Sequence, residues 1–515
     1  MVFNMKKLVR VFFSRYAISA FIILVELLLC AQLVFSAWAY SYVAVLVAAV
    51  ISLITLVFVI NRDANPEYKV SWVIVILALP FFGTILYILF YRRRMTKKEE
   101  RHLRGLFAEI NNHRLGTGNF DMLRRRSPLA SGKARALMND DTLSEVYTGS
   151  TSTFFGDGRR LFESMIRDIS EAKEFIFLEY FIIDQGVLWS KIHKLLREKA
   201  KEGVEIRLLY DDIGCMKTLP SHYEYSLRTE GINTYRFSKV SPSLSSVHNH
   251  RDHRKICVID GKVAYTGGVN IADEYINEKE RFGHWKDGGI RVSGEVVRGF
   301  IKQFLSMWDF TTHTISDYEK YLSFVEPLKF SDGGYYIPFG TGPIPIYQRP
   351  GGKNAFLNLI NQSRKYVYIT TPYLIIDYEL TESLCNAALR GVDVRIITPG
   401  IADKKKVKLM TKSAYPYLMR AGVKIYEYTP GFIHEKTFVV DDKYAVVGTI
   451  NLDYRSLAHN FENALWMYAT PTVQVCKDEF LNTVDKSERV DESKSKLTLS
   501  ERFVRNAIRL FAPLL

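Results

Sequence analysis

Apolar positions follow three regimes along the chain. From Tyr16 to Asn61 they are nearly unbroken, and Glu26 is the only charged side chain. At about 20 residues per crossing, this run predicts two membrane spans, near 16–37 and 40–60. Trp38, Tyr40 and Tyr42 lie between them as interfacial aromatics. The apolar run is too long for a cleavable leader. A third apolar stretch, Val70–Tyr91, is interrupted by Pro80 and Gly83 and ends at Arg92, Arg93 and Arg94; it reads as a kinked span or a re-entrant segment. Residues 95–150 are charged, then Ser- and Gly-containing, and read as a linker with a helix near 97–112.

From Phe155 onward, helical periodicity alternates with short apolar runs. Gly158–Ala172 reads as a helix and Glu174–Ile183 as a buried strand; a second helix ends at Gly203, and Val204–Tyr210 is again a strand. The order returns later: a helix over 354–364, a strand Tyr366–Thr371, a helix ending at Gly391, a strand Val392–Thr398. A β-α-β-α order repeated once predicts two α/β lobes, each with its sheet between helices. In the tail, Phe503, Val504, Ala507, Ile508 and Phe511 oppose Arg502, Arg505 and Arg509, with Ser500 as N-cap. This predicts a basic amphipathic helix over 497–515, at a membrane surface or packed on the core.

Composition narrows the partners. The chain has 515 residues and a formal net charge of +14, which suits nucleic acid or an anionic membrane. The apolar N-terminal run favours the membrane. Three spans would put the two basic flanks on opposite sides, against the positive-inside rule; two crossings plus one non-crossing segment would satisfy both flanks. Five scattered cysteines (Cys30, Cys215, Cys257, Cys385, Cys476) form neither a disulfide framework nor a zinc site and fit a reducing, cytosolic setting.

The chemistry lies in a repeated hairpin. His253-x-Lys255-x4-Asp260 returns as His434-x-Lys436-x4-Asp441, and Asn270 returns as Asn451, all displaced by 181 positions. One such motif in a chain this long arises by chance on the order of one time in twenty; two in register do not. Ile256–Ile259 is an apolar run and Asp260-Gly261 a hairpin turn pair. Residues two apart on a strand share a face, so His253 projects with Lys255, and His434 with Lys436. Asn270 and Asn451 follow the return strands and come back towards that end. An imidazole can attack phosphorus, a second can act as acid and base, and Lys and Asn can neutralise the oxygens. Each copy supplies half a site, so the two must face one phosphate. Asp260 and Asp441 belong to the motif but sit at turns, where Asp serves turn geometry. His248 and His250, outside the motif, read as loop residues or headgroup contacts. The ammonium groups repel a cation and no carboxylate cluster has ligand spacing, so no metal and no cofactor are expected.

These motifs, with His248–Lys255, Gly267–Asn270, Asp273-Glu-Tyr275 and Gly448–Ser456, resemble the phospholipase D superfamily with paired HKD motifs, and within it the bacterial cardiolipin synthases. The segment from Asn61 to Tyr87 is similar to their membrane anchor, and 16–37 is additional to it. The resemblance implies an α/β fold of two phospholipase D-like α/β/α lobes related by internal duplication, preceded by an N-terminal transmembrane helical region. It divides the chain into an anchor of two to three hydrophobic segments (1–94), the linker (95–150), two lobes (151–325 and 326–490) and the C-terminal helix (491–515). It implies transfer of a phosphatidyl group between two phosphatidylglycerols, giving cardiolipin and glycerol through a phosphohistidine. His253 is then the nucleophile and His434 the acid and base, although local sequence cannot order them. Asp287 and Glu462 orient the histidines, while Asn270, Asn451 and Ser456 bind phosphate. The alternatives are a phospholipase D that hydrolyses lipid, a nuclease, and an inactive lipid-binding scaffold. The expected partners are membrane lipids and not nucleic acid, at the bacterial plasma membrane with the catalytic part in the cytosol; oligomeric state is left open.

Overall fold

The computed structural model describes residues 42–62, 65–91, 97–140, 143–239, 250–343 and 349–491, with isolated positions besides. The expected span near 16–37 and the tail helix fall, but for such positions, outside them, as does His248. Contacts divide the chain into two compact units: 1–95 with 239–249 and 509–515, and 96–238 with 250–508.

The first unit is helical. Tyr42–Asn61 forms one helix, Pro66–Ala78 a second and Pro80–Tyr91 a third. Asn65 caps the second by accepting from Glu67 N at 2.9 Å, with Pro66 in the first turn, where a missing N–H costs nothing. Pro80 has no N–H to continue the ladder, so the chain breaks at Leu79 and folds back. Gly83 allows that return: a Cβ there would meet the backbone of Ile76 at 2.7 Å. The third apolar stretch is therefore two helices of 13 and 12 residues. Ser52 Oγ donates to Pro80 O at 2.6 Å, and Trp72 packs edge-on to Tyr87 at 5.3 Å. Leu46, Leu53, Ile54 and Phe58 are each at least half exposed. Side chains of the first helix are described from Leu46 onward; among the described residues no helix is long and apolar enough to cross a membrane.

In the second unit, the stretch expected as a linker with one helix near 97–112 forms that helix, Lys97–Asn112, and two more, Gly118–Arg126 and Pro128–Asp140. Leu123, Ala130, Ala134 and Leu137 are buried in the core of the second lobe. The signal was weak because this buried stripe consists of two leucines and two alanines among charged residues.

Two sheets follow. The first contains β1 (Ser150–Phe155), β2 (Phe175–Tyr180), β3 (Glu205–Asp211), β4 (Asn233–Phe237), β5 (Lys255–Ile259), β6 (Val263–Gly267) and β8 (Gly289–Gly294), in the order β1-β8-β6-β5-β2-β3-β4. The second contains β9 (Tyr335–Thr341), β10 (Tyr366–Thr370), β12 (Asp393–Pro399), β13 (Lys424–Tyr428), β15 (Thr437–Val440), β16 (Tyr444–Gly448), β18 (Glu462–Tyr468) and β19 (Ser487–Arg489), in the order β19-β13-β12-β10-β15-β16-β18-β9. Read from opposite ends the two orders are the same, with β19 added. β2, β3 and β4 are parallel, as are β10, β12 and β13, and helices make the crossovers. The motif hairpins are β5–β6 and β15–β16.

Short pieces join the lobes. β7 (His284–Lys286) pairs in parallel with β14 (Gly431–Ile433), and Asp252 bridges to Phe461. The remaining pair is β11 (Leu374–Ile375) with β17 (Leu452–Asp453). Counted by the 181-residue offset, Asp252 corresponds to Ile433, so the two crossings are copies of each other. Each ends one residue short of a motif histidine.

Candidate active site

The crossings decide what the histidines meet. His253 N donates to Phe461 O at 2.8 Å, and the next residue on that strand is Glu462. His434 N donates to Lys286 O at 2.7 Å, and the next residue there is Asp287. Pairing one residue upstream thus sets each ring beside a carboxylate of the other lobe. Nδ1 of His253 lies 2.8 Å from Glu462 Oε2, and Nδ1 of His434 lies 2.7 Å from Asp287 Oδ2. With the carboxylate ionised, Nδ1 carries the proton and Nε2 keeps its lone pair. The pairing is crossed: each carboxylate lies downstream of one motif and orients the histidine of the other.

All six groups are buried, and burial governs their charge. Both imidazoles are held well below the ordinary histidine range, by burial first and then by the lysines. Each feels both Lys255 and Lys436, and His434 also feels His253, so the two half-sites share one electrostatic environment. Burial pushes Lys255 down to about 8 and Lys436 to about 7, against the nearby carboxylates. It pushes Asp287 up to about 6 and Glu462 up to about 7, against the lysines.

The halves differ in detail. Lys255 Nζ donates to His253 O at 2.6 Å. Lys436 Nζ reaches His434 O and also lies 2.8 Å from Nδ1 of that ring. Glu462 accepts from Thr449 Oγ1 at 2.5 Å and from Asn460 Nδ2 at 3.3 Å, and the Ser456 hydroxyl also favours its ionised form. Asp287 accepts from Gly288 N at 2.8 Å. The position matching Thr449 is Gly268, where a Cβ would collide with Asp287. Each crossing also covers a buried charge pair of opposite arrangement. Arg254 Nε lies 2.8 Å from Glu179; at the matching position, Glu435 pairs with Lys286 at 3.1 Å, which also meets Glu479 at 2.7 Å.

The other expected site residues fall into two groups. Asp260 accepts from Lys173 N, Glu174 N and Phe175 N at 2.8, 2.8 and 2.9 Å; Asp441 accepts from Arg364 N, Lys365 N and Tyr366 N at 2.8, 2.7 and 3.0 Å. The strand β5 puts roughly 15 Å between Asp260 and the histidine end. These aspartates, counted among the catalytic residues from the motif, instead fasten the hairpin turns to the neighbouring strands. Both have positive φ, 52° and 56°, as tight turns require. Asn270 is committed too: Oδ1 accepts from Ile182 N at 3.0 Å and Nδ2 donates to Tyr275 OH at 2.7 Å. Tyr275 in turn lies edge-on to the His434 ring at 5.6 Å. By contrast Asn451 Oδ1 is buried with no hydrogen-bond partner among the described residues. Ser456 is buried just inside the helix capped by Asp453. His250 Nδ1 lies 2.8 Å from His459 O, as a loop contact.

Sequence reasoning gave no role at the site to Thr449, Asn460, Tyr275 and Phe181, whose ring lies edge-on to His253 at 5.0 Å. The one available signal was the change from Gly268 to Thr449 between otherwise matching repeats. Among the described residues no group of His, Cys, Asp and Glu is arranged to hold a metal.

Comparison with known proteins gives a consistent picture. Residues 165–308 and 356–484 match the family model described as cardiolipin synthase, PLD-like domain, and residues 47–92 match the phospholipase D-nuclease N-terminal model. The chain is 33% identical to a cardiolipin synthase of Alkalihalophilus pseudofirmus, over 89% of this chain and 91% of that one. It is 32% identical to a cardiolipin synthase of Listeria monocytogenes serotype 4b, over 93% and 99%. An uncharacterised protein of Streptococcus mutans is 41% identical over 90% and 99%. Among solved structures, a phosphatidylserine synthase of Haemophilus influenzae superposes with a TM-score of 0.56 at 16% identity, over 74% of this chain and 97% of that one, a likeness of fold.

Proposed function

The chain belongs to the cardiolipin synthases of the phospholipase D superfamily, and on that footing we propose that it joins two phosphatidylglycerols at the crossed histidine site. Nε2 of His253 attacks the phosphorus of the first lipid, and glycerol leaves with a proton from His434. His434 then takes the proton of the second lipid's terminal hydroxyl, whose oxygen displaces His253 from phosphorus and yields cardiolipin. Lys255, Lys436 and Asn451 face the charge that builds on the phosphoryl oxygens, with Ser456 as a hydroxyl donor. Glu462 holds the His253 proton on Nδ1 and so bares Nε2 for attack, while Asp287 accepts from Nδ1–H of His434 and favours the imidazolium whose Nε2–H goes to the glycerol.

The crossed pairing of His253 with Glu462 and His434 with Asp287 carries this reading. It makes two half-sites dependent on each other, as a two-histidine mechanism needs. The assignment of His253 as nucleophile and His434 as acid and base follows the family resemblance; both rings carry the same Nδ1–carboxylate contact.

Transfer in preference to hydrolysis requires the acceptor alcohol to outcompete water, which a membrane-facing site provides. The exposed apolar side chains of helix Tyr42–Asn61 fit lipid. The helices Pro66–Ala78 and Pro80–Tyr91, about 20 Å long at 1.5 Å per residue, fit a hairpin that dips into the bilayer and returns. That would keep both basic flanks, and the catalytic part, on the cytosolic side. The test is direct. Full-length protein given phosphatidylglycerol in mixed micelles yields cardiolipin and glycerol in equal amounts; His253→Ala and His434→Ala each abolish both products, and acid quenching of wild type traps label on one histidine. Substantial synthesis by the double variant refutes the mechanism, and phosphatidic acid as the main product favours the hydrolase.

A further inference from the structure

The proposed reaction uses two anionic lipids, yet the charges at the histidines serve only one phosphate. The acceptor brings a phosphate of its own. In cardiolipin, three carbons and two oxygens separate the two phosphorus atoms, so the acceptor phosphate must lie just outside the histidine site. A cation is needed there, on the rim and accessible to a lipid.

Lys404 occupies such a place. It follows β12 on a loop tied to the strand that delivers His434: Gly400 N donates to Tyr428 O at 2.9 Å, and Ile401 N donates to Gly431 O at 3.1 Å. The loop also holds a tyrosine at the site. Tyr373 OH donates to Asp403 Oδ2 at 2.7 Å, and Lys404 Nζ sits 5.6 Å from the centre of that ring. The Tyr373 side chain packs into the core cluster that contains Tyr275, Trp285 and Phe432, and all three of these rings lie against His434. The Lys404 side chain is 66% exposed, and its ion pair with Asp403 is long, at 3.8 Å. Lys255 and Lys436, by contrast, are buried and bonded to the motif backbone. The charge of Lys404 also depresses the basicity of both imidazoles, which places it within electrostatic reach of each.

We propose that Lys404 binds the phosphate of the acceptor phosphatidylglycerol and thereby selects a lipid acceptor over glycerol and water. Its work falls in the second half-reaction. The acceptor oxygen forms its bond to phosphorus as the bond to His253 Nε2 breaks, and the proton passes to His434. Lys404 touches neither the phosphorus nor the proton; it positions the hydroxyl by holding the charge at the far end of the acceptor headgroup. The first half-reaction does not require it.

This rests on the phosphatidyl-transfer reading above, and the experiment separates the two. Full-length wild type, Lys404→Gln and Lys404→Arg are given phosphatidylglycerol and labelled glycerol in mixed micelles. Cardiolipin formation and glycerol exchange into phosphatidylglycerol are then read together. Exchange uses the same donor and the same phosphohistidine, but its acceptor is neutral. For Lys404→Gln, exchange stays within about twofold of wild type while cardiolipin formation falls about tenfold, the effect of roughly 1.4 kcal/mol for one charge-assisted contact. Lys404→Arg restores most of the ratio. An unchanged ratio in Lys404→Gln, whether both activities persist or both fall, overturns the assignment. A wild type that gives neither product overturns the transfer reading and this proposal with it.

Discussion

At the scale of single residues, the site works against burial. Two carboxylates and two ammonium groups share a dry space, and each is pulled towards neutrality. The consequences for pH can be signed. Asp287 and Glu462, raised to about 6 and about 7, hold the imidazole Nδ1 protons only once ionised, so kcat/KM should rise as pH climbs through that range. Lys436 and Lys255, lowered to about 7 and about 8, hold phosphate only while charged, so kcat/KM should fall beyond it. A narrow bell centred close to pH 7 is expected, its limbs belonging to the coupled cluster. Thr449→Val removes the hydroxyl that holds Glu462 ionised. Its acid limb should move up by about one pH unit, as a hydrogen bond to a charged group warrants, with the alkaline limb in place. A pH profile of the variant that overlays wild type would sever Thr449 from the charge of Glu462.

At the scale of the element, the hairpin turn governs the site from a distance. Asp260 collects three backbone N–H groups of the segment that starts β2, and Asp441 does the same for β10. Asp260→Ala should cost about 3–5 kcal/mol, because the N–H groups lose their acceptor. Thermal unfolding should show a clear drop in Tm, while the folded fraction keeps most of its activity per molecule. Loss of turnover without loss of stability would return Asp260 to the chemistry. The helices over 97–140 teach the opposite lesson about elements. The charged stretch read as a linker, yet Leu123, Ala130, Ala134 and Leu137 at helical spacing suffice to seat the helices Gly118–Arg126 and Pro128–Asp140 on the second lobe.

At the scale of the whole molecule, duplication makes one site from two halves. The crossings β7–β14 and Asp252–Phe461 bind the lobes at the very residues that precede the two motif histidines. Since the histidines are oriented across the lobe boundary, one chain contains a complete site. Mixing His253→Ala chains with His434→Ala chains should therefore restore no more than a few per cent of wild-type synthesis. Recovery approaching half of wild type would mean that lobes are exchanged between chains.

The sequence alone determined the duplication, the two hairpins and the identities of the paired histidines and lysines. Those features are periodic, and strand alternation with a constant 181-residue offset makes periodicity visible; Asp287 and Glu462 fall outside that offset and were named by the family resemblance. Only the tertiary structure decided which carboxylate serves which histidine, because a crossed pairing and a direct one leave the same residues at the same spacings. It also separated Asn270, spent on Ile182 N and Tyr275 OH, from its copy Asn451, whose oxygen has no partner among the described residues. Spacing along a chain records which residues a fold repeats. Which of them meet is set by how the lobes pack, through contacts between residues more than a hundred positions apart.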